Sequence, residues 1–125
     1  MKKTLITILF LYIAINLSAQ KSDLIIGKWV FTEALNKDLD ESQLAYIKAE
    51  IVGKWELYFK SDGKFDSQMM EEKNSGEWKY DPNSNSIVLT GIEGGPQEFL
   101  ILKLTENQLA LKLGLGEFLL TRIKE

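Results

Sequence analysis

Each of the three tryptophans in this chain stands two residues after a glycine: Gly27-Lys28-Trp29, Gly53-Lys54-Trp55 and Gly76-Glu77-Trp78. With glycine at about 7% of ordinary composition, three such coincidences arise by chance only a few times in about ten thousand. Each triplet opens an alternating apolar run, so a glycine at a strand entry is followed by a large inward anchor. Glycine lets the backbone bend or approach a neighbour closely, and in strands it marks bulges and barrel corners. The repeated device predicts a small antiparallel barrel.

Ile25 to Phe31 forms a first strand. From Asp38 to Val52 the spacing is helical: Leu44, Ile47 and Ile51 share a stripe, Asp40 or Ser42 caps the start and Gly53 ends it. After Gly53 the period becomes two, with Trp55, Leu57 and Phe59 inward and Glu56, Tyr58 and Lys60 outward. Ser61-Asp62-Gly63-Lys64 is a hairpin turn. Phe65, Ser67 and Met69 continue the inner face, and alternation sends Met70 outward. Asn74-Ser75 turns the chain into Gly76 to Tyr80, and Asp81 to Ser86 is a loop of turn formers. Ile87 to Thr90, Phe99 to Thr105, Leu109 to Leu113 and Phe118 to Ile123 complete the strands. Lys103 places Leu100, Leu102 and Leu104 on the inner face. The fold class is all-β: an antiparallel up-and-down meander barrel of about eight strands, with one short helix after the first.

Lys2 and Lys3, the apolar run from Leu5 to Ile15 and the small-residue stretch Leu17-Ser18-Ala19 make the pattern of a secretory signal. Residues 1–20 read as a cleaved signal peptide and 21–125 as the domain. The apolar run falls short of the roughly 20 residues that cross a bilayer. A retained N-terminal anchor is the alternative. The chain has no cysteine, so no disulfide staples it and no thiol offers a lipid attachment point. The expected product is exported, periplasmic or secreted, with no stable membrane anchor after cleavage. Basic residues are scattered singly, which excludes the electrostatic footprint of a nucleic-acid binder.

The segments IIGKWVF, LYFKSDGKF, SGEWKYDPNSNSIVL, LKLTENQLALKL and LLTRIK resemble the lipocalin-like domain of small exported bacterial proteins. The resemblance covers essentially the whole of 21–125. It implies a calycin-type barrel whose first-strand tryptophan packs at the closed end beneath an arginine from the final strand. The matching positions are Trp29 and Arg122, a structural pair that joins the terminal strands and closes the barrel. The chain departs from longer lipocalins in its short length, its lack of disulfides and its helix between the first two strands.

Without histidine or cysteine, the commonest general base, metal ligand and thiol nucleophile are missing together. No metal, cofactor or catalytic residue is assigned. Asp66, Glu71, Glu72 and Glu77 fall on outward or turn positions, where carboxylates are ordinarily solvated. The sequence reads as that of a protein without catalysis.

Function then rests with the aromatics. Trp29, Trp55, Phe59, Phe65, Trp78 and Tyr80 all point inward. An eight-stranded barrel is just wide enough to be filled by side chains or to hold one small ligand. Two readings follow. In one, Trp55, Met69, Trp78 and Tyr80 line a site for a small hydrophobic ligand. In the other, the core is filled and the outer face, loops or helix make an interaction or inhibitor-like module. The helix plugs one end in the plain reading and acts as a lid in the other. A void of about 300 Å³ or more favours the ligand reading.

Overall fold

Strict alternation of apolar and polar residues gives a sheet one greasy face, and curling that face inward buries it and removes both edges. The computed structural model, which describes residues 20–69 and 71–124, has this form. Eight antiparallel strands follow one another around a closed barrel: β1 (Gly27–Ala34), β2 (Trp55–Phe59), β3 (Lys64–Met69), β4 (Glu72–Asp81), β5 (Ser86–Thr90), β6 (Gln97–Leu104), β7 (Gln108–Leu113) and β8 (Gly116–Arg122). The helix α1 (Glu41–Glu50) lies between β1 and β2. The predicted signal segment up to Ala19 and the outward placement of Met70 lie outside the described residues.

Closure is made by β1 and β8, which pair from Trp29 opposite Arg122 to Ala34 opposite Phe118. Thr32 is the extra residue of a bulge in that ladder, and its hydroxyl donates to the Leu119 carbonyl at 3.2 Å. Such a bulge sharpens the local twist, which a sheet of short strands needs in order to close. The core runs around the whole circumference, from Trp29 and Phe31 on β1 through Leu57, Phe59, Phe65, Ile87, Leu89, Phe99, Ile101, Leu109 and Leu111 to Phe118 and Leu120 on β8.

Besides the turn expected at Asn74-Ser75, which lies within β4, three sequence expectations change. First, β1 begins at Gly27, because residues 20–25 are helical and Gly27 turns the chain at φ 134°. Ile25 therefore ends a helix, and it is fully buried. Second, the inward phase of β6 is the reverse of that expected. Phe99 and Ile101 face the core, whereas Leu100 and Leu102 face outward at 41% and 44% exposure. A bulge at Leu102 then shifts the ladder, so that Ile101 opposes Leu111 and Leu104 opposes Leu109. Leu104 alone of the three leucines packs against the core. Lys103 is a poor guide to phase because one inserted residue breaks the period of two.

Third, α1 is a lighter cover than its stripe suggested. Asp40 caps it with a reciprocal capping box to Gln43, and Lys48 sits in the last turn. Ile47 and, beyond the helix, Ile51 and Val52 pack against the core, but Leu44 and Tyr46 are exposed.

Candidate functional site

The barrel has two unlike ends. At one, the beginning of β1 meets the ends of β2 and β8, and the helical residues 20–25 lie beneath. Trp29 is fully buried there, and its indole N–H donates to the Ile25 carbonyl at 2.8 Å. The Arg122 guanidinium carbon stands 4.2 Å from the centre of the Trp29 ring system, which is cation–π geometry. Its nitrogens donate to the carbonyls of Ile26 at 2.7 Å, Glu106 at 2.6 Å and Leu24. Arg122 thus satisfies carbonyls at a helix C-terminus, where a cation is favoured, and ties that helix to β1, β8 and the β6–β7 turn. The Trp29–Arg122 pair implied by the family resemblance is present.

Trp78 and Tyr80 belong to this closed half. Trp78 meets Phe59 edge-on at 5.4 Å and donates its indole N–H to the Lys60 carbonyl at 2.8 Å. The Tyr80 hydroxyl donates to Asn85 Oδ1 at 2.8 Å. Asn85 holds φ 51°, and its amide nitrogen donates to the Ile101 carbonyl at 3.3 Å, so it pins the β4–β5 loop to β6. Asn85 carries more structure than sequence reasoning assigned it. Asparagine tolerates the left-handed region, and that is the one signal available beforehand.

The opposite end is open. The β1–α1 connection, the β3–β4 hairpin, the β5–β6 loop and the β7–β8 hairpin surround it. Inside lies a cavity of about 390 Å³, floored by Leu57, Phe65, Leu89 and Phe99 and walled by Trp55. Trp55 is fixed by ring contacts with Phe118 at 4.9 Å and Phe31 at 6.0 Å, and its indole N–H donates to Ser67 Oγ at 3.3 Å. Ser67, Asn74 and Gln97 interrupt the apolar lining, and Glu72 and Glu93 stand at the mouth. Such an aromatic and aliphatic bowl with a few polar groups is the usual make-up of a small-molecule site, at the lower end of the usual size.

Of the four residues expected to line a site, Trp55 borders this cavity. Met69, opposite Trp55 in the β2–β3 ladder, sits on the rim and faces the cleft beside α1. Trp78 and Tyr80 stand at the far end of the barrel, outside the cavity. Asn74, which the sequence places in a turn, instead pairs with Ser67 within the β3–β4 ladder and lines the cavity, a residue that sequence reasoning missed. Its signal was a polar residue on the inward phase, a gap in the apolar pattern. Glu72, taken as turn or outward, lies at the start of β4 with its side chain at the mouth.

A groove of similar size, about 430 Å³, runs along the outer wall of β1 to β4, with Lys28, Tyr58, Asp66 and Lys73 on its surface. It lies over a sheet, with none of the enclosing aromatic wall of the interior cavity. Beside it Lys60 and Asp66 form an ion pair at 2.8 Å. The hydrogen bond that Lys60 donates to the Asp66 carboxylate raises the Lys60 pKa above the ordinary 10.5. That contribution is complete at neutral pH and is lost only as pH climbs through the raised value. Among the described residues, no group of three metal-ligating side chains comes together.

No protein-family model and no curated protein matches the chain. Two solved structures are similar. One is a lipocalin-like protein from Bacteroides uniformis ATCC 8492, with a TM-score of 0.59 and 14% identity over 80% of this chain and 99% of that one. The other is an uncharacterized protein from Bacteroides eggerthii DSM 20697, with a TM-score of 0.58 and 17% identity over 78% of this chain and 98% of that one. At these identities the likeness is one of fold: a lipocalin-like, calycin-type barrel.

Proposed function

We propose that the protein is an exported, non-enzymatic binding protein that takes a small hydrophobic molecule into the open end of its barrel. The observation that carries this reading is the division of the interior. The closed half is packed with Trp29, Phe59, Trp78 and the buried Ile25, while the open half leaves about 390 Å³ against Trp55. Ser67 and Asn74 add polar groups to the lining of that open half. Binding without chemistry agrees with a cavity whose polar groups include neither imidazole nor thiol. Export rests on the N-terminal sequence pattern of basic residues, apolar run and small-residue site. The Trp29–Arg122 clasp and the contacts of Trp78 and Tyr80 serve the frame.

The test is fluorescence titration of the protein with a panel of fatty acids, fatty alcohols, retinoids and aromatic metabolites, amines among them. Saturable quenching is expected, retained in Trp78→Phe and weakened at least about tenfold in Ser67→Leu, whose larger side chain narrows the cavity beside Trp55. Native mass spectrometry of the protein from its own host would then weigh the resident molecule. No saturable response across the panel, or a response indifferent to Ser67→Leu, contradicts the reading.

A further inference from the structure

We infer that the open-end cavity selects molecules carrying a protonated amine on an apolar or aromatic body, over carboxylates of the same shape. The inference rests on the reading of this cavity as a ligand site. The inner surface is hydrocarbon and aromatic, but the two charged side chains at the mouth, Glu72 and Glu93, have one sign. Among the described residues no lysine or arginine lines the cavity. A carboxylate held with its apolar body against Trp55 would therefore lose part of its hydration beside like charges, with no counter-ion. An ammonium in the same place gains both glutamates and can donate to the neutral oxygens of Asn74 and Gln97.

The approach to the cavity carries the same sign. Glu72 also borders a wider cleft of about 1040 Å³ beside the end of α1, where Glu50, Glu56 and Glu71 join it. Lys54 is the cation lining that cleft, and its ammonium is turned to the helix end, donating to the Ala49 carbonyl at 2.7 Å. Clefts lined by one sign of charge concentrate ligands of the other. Because these glutamates are exposed, the preference is expected to be modest and sensitive to salt.

The experiment is calorimetric titration of the full chain with 4-phenylbutylamine, 4-phenylbutanol and 4-phenylbutyrate, which share one body and differ in head group. The amine is expected to bind about tenfold tighter than the alcohol, with the carboxylate weakest. In Glu72→Gln/Glu93→Gln, and in the parent protein at raised salt, the ratio of amine to alcohol affinity falls to within about twofold. Circular dichroism of the double variant checks that the barrel is intact. A carboxylate binding as tightly as the amine, or an amine preference untouched by the double substitution, overturns this inference and leaves the cavity as a ligand site. Binding of none of the three removes the ligand site, and the amine preference with it.

Discussion

The three glycines that precede the tryptophans are required for three different reasons. A Cβ on Gly27 would clash with the Arg122 guanidinium, and the residue holds φ 134°. A Cβ on Gly76 would collide with the Thr90 carbonyl oxygen, so β4 can approach the end of β5 only without a side chain there. Gly53 has open space around it and needs only its φ of 77°. Alanine substitution should therefore rank them. Gly53→Ala is expected to cost about 1 kcal/mol for the left-handed backbone alone, and Gly27→Ala and Gly76→Ala about 2–4 kcal/mol. Urea denaturation of the three variants checks the order. Because the clash at Gly27 is with one side chain, Gly27→Ala should cost at least about 1 kcal/mol less in an Arg122→Ala background than in the parent. Equal costs in the two backgrounds would mean that the guanidinium does not rest on Gly27. The sequence pattern exposed the repeated Gly-x-Trp spacing, but not these separate causes, since the clashes at Gly27 and Gly76 depend on Arg122 and Thr90, elsewhere in the chain.

Among the elements, β6 and α1 separate what periodicity discloses from what it hides. Turns were legible because their chemistry is local: Gly63 takes φ 86° in the β2–β3 hairpin, and Asp62 accepts from the Lys64 amide at 3.0 Å. The phase of β6 was not, because the bulge at Leu102 shows only in the pairing with β7 and breaks the period of two within β6. The corrected phase makes a sharp expectation. Ile101→Ala should destabilise by about 2–4 kcal/mol, while Leu102→Lys changes stability by no more than about 0.5 kcal/mol. The opposite order would restore the leucines to the core. For α1, the capping box was readable, whereas the number of residues that dock was not. Asp40→Ala is expected to cost the helix about 1 kcal/mol. Since only Ile47 of the helix itself packs on the core, hydrogen exchange should speed up within residues 41–50 and stay unchanged in β5 to β8.

For the molecule as a whole, meander order was accessible from short turns and a strand spacing of roughly 8 to 12 residues. Which end would be shut was carried by the resemblance through Trp29 and Arg122. The helical residues 20–25 that complete that end were not foreseen, because Ile25 and Ile26 read equally well as the start of a strand. Placement of the aromatics was harder still, since alternation reports facing and says nothing of height along the barrel. Trp55 and Trp78 share the inward face, yet one walls the open cavity and the other fastens the closed half. This division makes the three indoles natural reporters, two with their N–H groups held by backbone carbonyls and one beside the cavity. A nitrogen–proton correlation spectrum, with its three indole signals assigned by Trp→Phe variants, should be followed while neutral 4-phenylbutanol is added. The expected result is a saturable shift of the Trp55 signal with Trp29 and Trp78 unmoved. A shift of the Trp78 or Trp29 signal with Trp55 still, or no shift of any of the three, would contradict a barrel that is shut at one end and receives its ligand at the other.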